Sequence, residues 1–579
     1  MVPGHVPLGE EVEPVGDTLL ARVEAHADRW RRCARCRRWC ARRALPPGWT
    51  CPGCGAPFRV PAADRIASLV DPGTFEELAA ALAPGDPLDF HDRVPYPRRC
   101  ADARSRTGSA EAAVLGTAEV AGRRVVLVVF DFAFLGGSMG VVVGEKLARA
   151  AEIAEHGRIP LVTVAASGGG RMQEGALALL QGAKVAAAVG ALRDAGVPYL
   201  SVLTDPVIGG VQVSFASAGD VVLVEEGTRA GFAGRRVVEQ TTGCRLPEDF
   251  QTDAFLLRHG HVDLVAPRRE LPATLARLVA YASSDRAPRP EPPAGPDDPP
   301  EPPEDEVDPW DAVVAVRAAH RPRLAHYLDT AFTDVVELRG DRMRDDDPTV
   351  FTGLARLAGS PVVVIGHNRV TGGPARRNAG MALPSGYRKA TRVMRLAARW
   401  SLPVVTLVDT PGAHPAADAE ADNQCGAIAE TMLTAARLPT PVVCAVIGEG
   451  GSGGALALSI GDRLLMQRNS TFSVISPEGC AAILFSDSAR APEAARALRL
   501  RAADLLRHGL VDAVVPEPPG GAHTDPRRAA DLLAAALRRH LAELGTCDGP
   551  RLVAARAARL RALGRDWCGT PRVTGGRGG

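Results

Sequence analysis

Short runs of consecutive apolar residues, many of them β-branched, alternate along the chain with longer Ala- and Leu-rich stretches. The runs predict strands at 125–130, 161–166, 361–365, 404–408 and 442–447. The longer stretches predict helices, for example at 141–154 and 171–189. Strands without polar alternation that are separated by helices are typical of sheets buried on both faces, so the pattern predicts α/β domains with mostly parallel sheets.

Two parts of the chain repeat each other at an offset of about 243 residues. Pro160 and Pro198 lie 38 residues apart, and so do Pro403 and Pro441. The series continues with Gly219-Asp220 matching Gly461-Asp462, and with 259–263 matching 508–512. Several matches in the same order predict a duplicated fold.

A Pro-rich acidic segment separates the two repeats. From Pro288 to Pro309, ten of the 22 residues are Pro and eight are acidic, a composition that favours an extended linker over a packed core. We therefore expect an N-terminal tail (1–29), a four-cysteine segment (30–60), a first domain (61–283), a linker (284–309), a second domain (310–544) and an Arg/Ala-rich tail (545–579).

Composition narrows the class of protein. Hydrophobic residues make up 46% of the 579 residues and the net charge is +1, which argues against a generally basic nucleic-acid binder. The sequence has no uninterrupted apolar run of about 18 residues, so we expect no membrane span. Residues 1–17 are acidic and Pro-containing rather than basic and then apolar, so we expect no signal peptide. A reducing cytoplasm is the expected compartment.

Four cysteines near the N-terminus have the spacing of a zinc site. Two Cys-x2-Cys pairs, Cys33/Cys36 and Cys51/Cys54, are separated by fourteen residues, which predicts one tetrahedral structural zinc. Cys40 is a fifth thiol that we expect to be spare. Eight arginines lie between residues 29 and 43: Arg29, Arg31, Arg32, Arg35, Arg37, Arg38, Arg42 and Arg43. These arginines have two possible roles. They form a solvated surface, or they attract the phosphates of a nucleic acid or of a nucleotide-like substrate.

Glycine-rich loops follow several predicted strands and precede helices. They contain Gly136, Gly137, Gly168, Gly169, Gly209 and Gly210 in the first repeat, and Gly450, Gly451, Gly453 and Gly454 in the second. Unobstructed N–H groups at such loops bind anions or developing oxyanions, although paired glycines also serve close packing. Neither a P-loop nor a G-x-S-x-G motif is present. Several side chains are candidate acids or bases, although a structural role is more typical of each: Glu174, Glu239, Glu449, Glu478 and His367.

These motifs resemble those of the bacterial acetyl-CoA carboxylase carboxyltransferase. In the first repeat the resemblance is carried by the four-cysteine segment, 130–140, 167–174, 201–210, 231–234 and 237–240, which look like the β subunit. In the second repeat, 376–378, 386–390, 409–413, 446–455, 473–481, 516–518 and 520–523 look like the α subunit. The chain thus resembles a fusion of the β and α subunits.

The resemblance implies a zinc ribbon followed by two crotonase-like domains. It implies transfer of carboxyl from carboxybiotin on a carrier protein to acetyl-CoA, giving malonyl-CoA. Gly168 and Gly169 would face the thioester oxygen and Gly453 and Gly454 the biotin ureido oxygen, as catalytic groups. Substrate binding would involve Gly136, Gly137, Arg171, Gly209, Gly210, Gly450 and Gly451.

The implied partners are a biotin carboxyl carrier protein and a biotin carboxylase, within an ATP-dependent holoenzyme of fatty-acid biosynthesis. No Met-Lys pair and no nucleotide-binding motif occur, so we expect this chain to be neither biotinylated nor an ATPase. Two fused chains are expected to form a homodimer.

Some residues depart from the family pattern. His414 and Ala416 replace the usual Tyr and Gly, and Gly170 replaces an Ala. Three alternatives therefore stay open: another acyl-CoA as substrate in specialised metabolism, another crotonase-class enzyme, and a zinc-ribbon regulator that binds nucleic acid.

Overall fold

The computed structural model describes residues 30–33, 35–41, 45–46, 49–283, 308–369 and 380–564. Arg29, Arg42, Arg43 and residues 284–307 of the expected linker lie outside the described residues. The chain divides into two compact units, residues 1–65 and 66–579. Within the larger unit we call residues 66–283 the first half and residues 308–564 the second half.

The smaller unit contains an antiparallel pair of strands, β1 (Trp30–Arg32) and β2 (Trp39–Ala41). Cys33 follows β1 directly, and a turn at 35–36 leads towards β2. Cys33, Cys40 and Cys51 form a small buried cluster. A core of this size is typical of a segment that depends on a metal rather than on hydrophobic burial.

The first half is an α/β structure whose main strands are long and buried. Its strands are β3 (Glu76–Leu78), β4 (Ala113–Val120), β5 (Arg123–Phe130), β6 (Leu161–Ser167), β7 (Tyr199–Ile208), β8 (Val221–Glu225), β9 (Ala230–Gly231) and β10 (Leu264–Ala266). The α-helices, counted from the one that precedes β3, are α1 (Ala62–Leu69), α2 (Tyr96–Thr107), α3 (Val141–Gly157), α4 (Gly175–Asp194), α5 (Gly210–Ser214), α6 (Arg235–Thr242), α7 (Asp253–Arg258) and α8 (Leu271–Ala282).

The second half repeats this arrangement. Its strands are β11 (Thr333–Glu337), β12 (Val350–Leu357), β13 (Ser360–His367), β14 (Val404–Thr410), β15 (Val442–Gly451), β16 (Arg463–Gln467), β17 (Thr471–Ser473) and β18 (Ala513–Val515). Its α-helices are α9 (Pro309–Arg317), α10 (Leu324–Ala331), α11 (Pro384–Arg399), α12 (Ala417–Ala421), α13 (Gln424–Arg437), α14 (Ser452–Leu456), α15 (Pro477–Leu484), α16 (Ala491–Leu498), α17 (Ala502–Arg507), α18 (Pro526–Leu544) and α19 (Gly549–Ala562).

The two sheets have the same strand order. The first sheet is ordered β10-β8-β7-β6-β5-β4-β3 with β9 beside β7, and the second is ordered β18-β16-β15-β14-β13-β12-β11 with β17 beside β15. In each sheet the strands are parallel except for two antiparallel pairs at one edge. The predicted duplication and the mostly parallel sheets are therefore confirmed.

One apolar segment, 172–194, is long enough and apolar enough to cross a membrane by length and composition alone. Its helix α4 connects β6 to β7, which are parallel neighbours in one sheet. Connecting two such strands is the ordinary role of a crossover helix. The side chains of Leu179 and Leu180 on this helix are exposed.

Part of the expected C-terminal tail forms helix α19, which packs against the second half. Leu552 packs into the core of that half, and Arg556 is 1% exposed. The Arg556 guanidinium binds Asp462 through Nε (3.0 Å) and Nη2 (2.7 Å). It also donates to the carbonyls of Ala435, Leu438 and Thr440. Residues 565–579 of the tail lie outside the described residues.

Candidate active site and zinc site

In the first half, three glycine loops meet at the carboxyl ends of β5, β6 and β7. Gly168 donates its N–H to the carbonyl of Gly136 over 2.8 Å, and Gly209 donates to Gly231 over 3.0 Å. A Cβ on Gly137 would lie 2.0 Å from the carbonyl oxygen of Ala166, so only glycine fits there. The loops after β6 and β7 therefore form one compact site.

The N–H groups predicted to face the substrate are already engaged inside this site. Gly168 donates to Gly136, and Gly169 donates to Oγ of Ser167 over 3.0 Å. The N–H groups of Gly170 and of Gly210, the first residue of α5, have no acceptor among the described residues. A Cβ on Gly210 would lie 3.6 Å from the nitrogen of Gly170, so the two loops are adjacent. Gly170 and Gly210 are thus the available pair of donors.

The second half contains the same arrangement 243 residues later. Thr410 Oγ1 accepts the N–H of Gly412 over 3.1 Å, as Ser167 does for Gly169. Ser452 has a φ of 55°, close to the 63° of Gly209 at the equivalent position. The counterparts of Gly170 and Gly210 are consequently Ala413 and Gly453, whose N–H groups also have no acceptor among the described residues.

At the other glycines of this second loop there is no room for a side chain. A Cβ on Gly454 would lie 2.4 Å from the nitrogen of Ala413, and one on Gly451 would lie 2.0 Å from the carbonyl oxygen of Pro411. Gly450 sits against the ring of Phe472. Around Gly453 there is open space, because a Cβ there would meet nothing within 4 Å. Gly453 is therefore the glycine that faces the open part of this site.

Arg171 lies directly behind the first loop and is buried. Its Nη1 and Nη2 bind the carboxylate of Glu111 over 2.7 and 2.5 Å. The remaining N–H groups bind Tyr96 Oη, Ser138 Oγ and the Ser138 carbonyl. All five donors of the guanidinium are therefore used within the protein. No donor of Arg171 is left for the substrate contact expected from the sequence, whereas the side chain fixes the loop that contains Gly170.

Two of the candidate acids and bases, Glu174 and Glu449, sit in buried networks, and a third, His367, is buried without a hydrogen-bond partner among the described residues. Glu174 accepts hydrogen bonds from Tyr96 Oη (2.6 Å) and from the N–H of Val141 (2.6 Å). Glu449 binds Arg317 and Arg369 at 2.6 and 3.0 Å. Burial lowers the pKa of His367 to about 4, although Asp409 acts in the opposite direction. His367 is therefore uncharged at neutral pH.

Glu478 and Glu239 also bind arginines. Glu478 binds Arg317 at 2.5 Å, and Glu239 binds Arg235 at 3.3 Å. The four candidate glutamates thus each have a structural partner.

The four predicted cysteine ligands converge. The Sγ atoms of Cys33, Cys36, Cys51 and Cys54 all lie within 4.8 Å of one another, and two of the pairs are 3.5 Å apart. Four thiolates around a tetrahedral zinc at about 2.3 Å lie roughly 3.8 Å apart, so the site fits this metal.

The surroundings of the cluster suit thiolate ligands. Cys36 donates its N–H towards Cys33 Sγ, which lowers the pKa of Cys33, and Gly53 donates towards Cys51 Sγ. Such N–H···S contacts stabilise thiolates. Cys40 is buried beside the cluster but is not among its four converging sulfurs.

Sequence reasoning missed Gly170, Ala413 and Ser452 as site residues. The signal that identifies them is the hydroxyl residue two positions before a glycine, Ser167 before Gly169 and Thr410 before Gly412, at the repeat offset. That offset makes the loop at 410–413, rather than the one at 450–454, the counterpart of 167–170. The glycine-rich composition of 450–454 obscured this correspondence.

Known proteins resemble nearly the whole chain. Residues 304–564 match the family described as acetyl co-enzyme A carboxylase carboxyltransferase-like. The acetyl-coenzyme A carboxylase carboxyl transferase subunits beta/alpha of Salinispora tropica is 54% identical over 544 residues, covering 92% of this chain and 96% of that protein. The protein of the same name from Natranaerobius thermophilus is 37% identical, covering 93% and 91%.

Solved structures share the fold of the two halves. The crystal structure of transcarboxylase 12S, with methylmalonyl-coenzyme A and methylmalonic acid bound, superimposes with a TM-score of 0.66 at 20% identity, covering 84% of this chain and 90% of that chain. The structure of a single-chain, multi-domain long-chain acyl-CoA carboxylase gives a TM-score of 0.63 at 22% identity, covering 83% and 45%. Each half thus has the crotonase-like fold of carboxyltransferases. This chain belongs to the family of acetyl-coenzyme A carboxylase carboxyl transferases in which the beta and alpha subunits are fused.

Proposed function

We propose that this chain transfers a carboxyl group from carboxybiotin on a carrier protein to acetyl-CoA, giving malonyl-CoA. Two negatively charged oxygens develop in this reaction, one on the thioester enolate and one on the biotin ureido group. The observation that supports the proposal most directly is the duplicated donor pair, Gly170 with Gly210 and Ala413 with Gly453. Each pair offers two backbone N–H groups that a developing oxyanion can accept.

The first half supplies the thioester site in this proposal. Gly170 and Gly210 donate to the thioester oxygen, while Gly136, Gly137, Gly168, Gly169 and Gly209 shape the loops around it. Arg171 is a positioning residue, because its bonds to Glu111 and Ser138 hold the loop. For Gly168 or Gly169 to donate to substrate, as the family resemblance implies, their present hydrogen bonds would have to break.

The second half supplies the biotin site. Gly453 and Ala413 donate to the ureido oxygen, and Gly450, Gly451 and Gly454 pack the loop behind them. Cleavage of the N–CO2 bond releases CO2 and leaves the electron pair on the ureido nitrogen. This nitrogen takes the α-proton of acetyl-CoA, and the resulting enolate carbon attacks CO2 to form the new C–C bond. The protein therefore needs no side-chain base, in keeping with the buried networks around Glu174 and Glu449.

Exposed apolar side chains next to the glycine loops support a homodimer. In the first half, Met172, Leu179, Leu180, Val213 and Phe232 are between 61% and 81% exposed; we call them the first-half apolar patch. In the second half, Leu456, Val474, Ile483 and Leu484 are exposed, and Leu456 ends the helix α14 that contains Gly453. Contiguous exposed apolar surface is typical of a protein interface. We propose that it is buried when two chains pair, which would place active sites between the first half of one chain and the second half of the other.

The zinc on Cys33, Cys36, Cys51 and Cys54 is structural in this proposal, since four thiolates leave no open coordination position. A separate biotin carboxyl carrier protein and biotin carboxylase supply the carboxybiotin with consumption of ATP. With malonyl-CoA as product, we propose a role in fatty-acid biosynthesis and the cytoplasm as the compartment.

The identity of the acyl-CoA that accepts the carboxyl group is a separate question from the type of reaction. The probable biotin-dependent acyl-coenzyme A carboxylase beta3 subunit of Mycobacterium bovis is 38% identical over 479 residues, covering 83% of this chain and 94% of that protein. This similarity keeps another acyl-CoA, used in specialised metabolism, as the second candidate substrate.

The decisive experiment measures carboxyl transfer from malonyl-CoA to free biocytin by the purified chain, together with the same reaction from methylmalonyl-CoA. Acetyl-CoA formation that requires biocytin supports the proposal. Preference for methylmalonyl-CoA would favour the second candidate, and no biocytin-dependent transfer from either thioester would contradict carboxyltransferase activity. Streptavidin blotting of the same preparation is expected to show no biotin on this chain.

A further inference from the structure

A cavity of about 410 Å³ lies between the two halves. Its first-half wall contains Arg193, at the end of α4, and Asp220, just before β8. The glycine loop at 168–170 precedes the start of α4, and a helix of this length spans about 30 Å. The cavity is therefore separate from the site that contains Gly170 and Gly210. Its volume lies within the range of small-molecule sites.

Arginines dominate the wall of this cavity. Four of them occupy one face of α11 because they are spaced by four, three and four residues. One more comes from the first half and one from the loop before β12. The six are Arg193, Arg342, Arg388, Arg392, Arg395 and Arg399. Guanidinium groups donate in pairs to the oxygens of phosphate, which makes them the side chains best suited to phosphorylated anions.

The carboxylates that face these arginines do not balance them. Asp220 binds Arg399, Glu430 binds Arg395, and Asp341 binds Arg388. Asp422 is shared by Arg388 and by the exposed Arg344. The six arginines of the cavity and Arg344 make seven. With Asp263, which binds Arg342 and Arg392, the carboxylates number five.

The excess of two positive charges comes from Arg193 and from the pair Arg342 and Arg392. Arg342 and Arg392 share the single carboxylate of Asp263. Arg193 donates only to the carbonyl of Ala218 and has no carboxylate partner among the described residues. Two positive charges at the cavity are therefore uncompensated.

Two N–H groups at this cavity also lack acceptors. Arg342 Nε and Arg392 Nη1 are buried and have no hydrogen-bond partner in the described part of the chain. A buried donor without a partner costs about 1–3 kcal/mol, so an added acceptor is stabilising. Burial lowers the pKa of Arg342 in spite of Asp263, and the charge of Arg392 lowers it further. An anion in the cavity would relieve both effects.

The repeat supplies an internal comparison for this face. In the second half, Asp462 and Asp512 occupy the positions of Asp220 and Asp263, and helix α19 binds them with one arginine each, Arg556 and Arg559. Two arginines are therefore enough to satisfy the carboxylate pair of this fold. The additional arginines at the cavity are not explained by pairing the halves.

The helix of the first half that is equivalent to α11 has no row of arginines. In α3 the positions that correspond to the four arginines of α11 are Glu145, Arg149, Glu152 and His156. The arginine row is accordingly a property of α11 and of the surface it presents to the first half.

We infer that this cavity is a binding site for a compact anion with two phosphate groups, held by Arg193 from the first half and by the arginines of α11 from the second. Two biological ligands present this chemistry: a nucleoside 5′-diphosphate, and the phosphate-bearing nucleotide end of a CoA molecule. Because the site joins both halves, occupancy stabilises the folded chain.

The test is calorimetric titration of the full-length chain with inorganic pyrophosphate at low salt. We expect saturable binding that weakens as salt is added. Arg193→Gln removes a charge that has no carboxylate partner, and we expect it to weaken binding by about tenfold without lowering the unfolding temperature of the free protein. Arg490→Gln, at an exposed pair with Glu493, is the matched control and should bind as the wild type does.

Competition then separates the two sources of ligand. ADP and adenosine 3′,5′-bisphosphate are titrated against bound pyrophosphate, and the better competitor identifies the nucleotide or the CoA-type ligand. Two outcomes would overturn the inference: no saturable binding of pyrophosphate at low salt, or equal affinity of Arg193→Gln and the wild type. Carboxyl transfer without pyrophosphate is expected to be unchanged in Arg193→Gln, so this test is independent of the proposed function.

Discussion

Arg399 donates from Nε to Asp220 Oδ1 over 2.8 Å and so joins the second half of the chain to the first. The same aspartate accepts the N–H of Tyr199 at the start of β7 over 3.0 Å. Asp462 repeats this geometry: it accepts the N–H of Val442 over 2.8 Å and binds Arg556. One carboxylate position in the fold therefore holds an inter-half contact in one repeat and the C-terminal helix in the other.

This correspondence predicts different costs for equivalent substitutions. Asp462→Asn leaves the fully buried Arg556 without its counter-charge, so we expect a loss of about 3–5 kcal/mol in the free energy of unfolding. Asp220→Asn should cost less, about 1–3 kcal/mol, because the Arg399 side chain is one-quarter exposed and retains water. Urea titration measures both, with Glu493→Gln at an exposed pair as the control, expected below about 1 kcal/mol. Equal losses for the two aspartates would contradict this assignment.

The zinc site predicts that substituting one of the four converging cysteines abolishes zinc binding, whereas substituting Cys40 does not. Cys51→Ser should abolish stoichiometric zinc, because tetrahedral coordination then lacks one thiolate. Cys40→Ser should retain one zinc per chain, since Cys40 is outside the converging set. Elemental analysis of protein purified without chelators checks both variants. Loss of zinc from Cys40→Ser with retention in Cys51→Ser would require a different ligand set.

Gly453 allows the donor role to be tested apart from packing. Gly453→Pro removes the N–H in the first turn of α14, where no intrahelical bond is lost, whereas Gly453→Ala keeps it. Loss of one oxyanion donor costs about 2.7–4 kcal/mol, so we expect kcat to fall by about two to three orders of magnitude for Pro and far less for Ala. Gly454→Ala is a poorer test, because its Cβ would lie 2.4 Å from Ala413 N and would perturb the loop.

The two Gly453 variants also need a check on folding. Their circular dichroism spectra and unfolding temperatures should match those of the wild type. If both variants keep wild-type kcat in the biocytin assay, then the N–H of Gly453 is not a donor in the reaction.

The buried imidazole of His367 makes stability depend on pH in a defined direction. Its pKa is about 4 in the folded chain because of burial, against an ordinary value near 6.5. Between these values the unfolded chain binds a proton that the folded chain does not, so stability falls as the pH is lowered from about 6.5 to 4. The full effect is about 3 kcal/mol.

Substitution isolates this contribution from that of the carboxylates. In His367→Gln the dependence of the unfolding free energy on pH should be shallower than in the wild type over that range. His156→Gln, at an exposed histidine of α3, is the control substitution. Parallel profiles for His367→Gln and wild type would show that His367 titrates normally in the folded chain.

Local patterns predict part of this molecule and tertiary contacts determine the rest. Apolar runs located β6 and β14, and cysteine spacing located the four converging sulfurs, because both depend on neighbours in sequence. The free donor at Gly170 could not be found that way, because it depends on Ser167 and Gly136 engaging Gly169 and Gly168. The role of Arg171 depends on Glu111, 60 residues earlier. Such partners become visible only once the chain is folded.

The exposed apolar side chains predict that the chain forms a homodimer. Leu179 is 78% exposed in the first-half apolar patch, and a charge there would oppose burial against a second chain. We expect the wild type to sediment as a dimer and Leu179→Asp to dissociate at micromolar concentration, with carboxyl transfer reduced at least about tenfold because the two substrate sites would no longer face each other. Val314→Asp, at an exposed apolar residue of α9, is the control that should stay dimeric and active. A monomeric wild type with full activity would contradict the dimer, and would require both sites to meet within one chain.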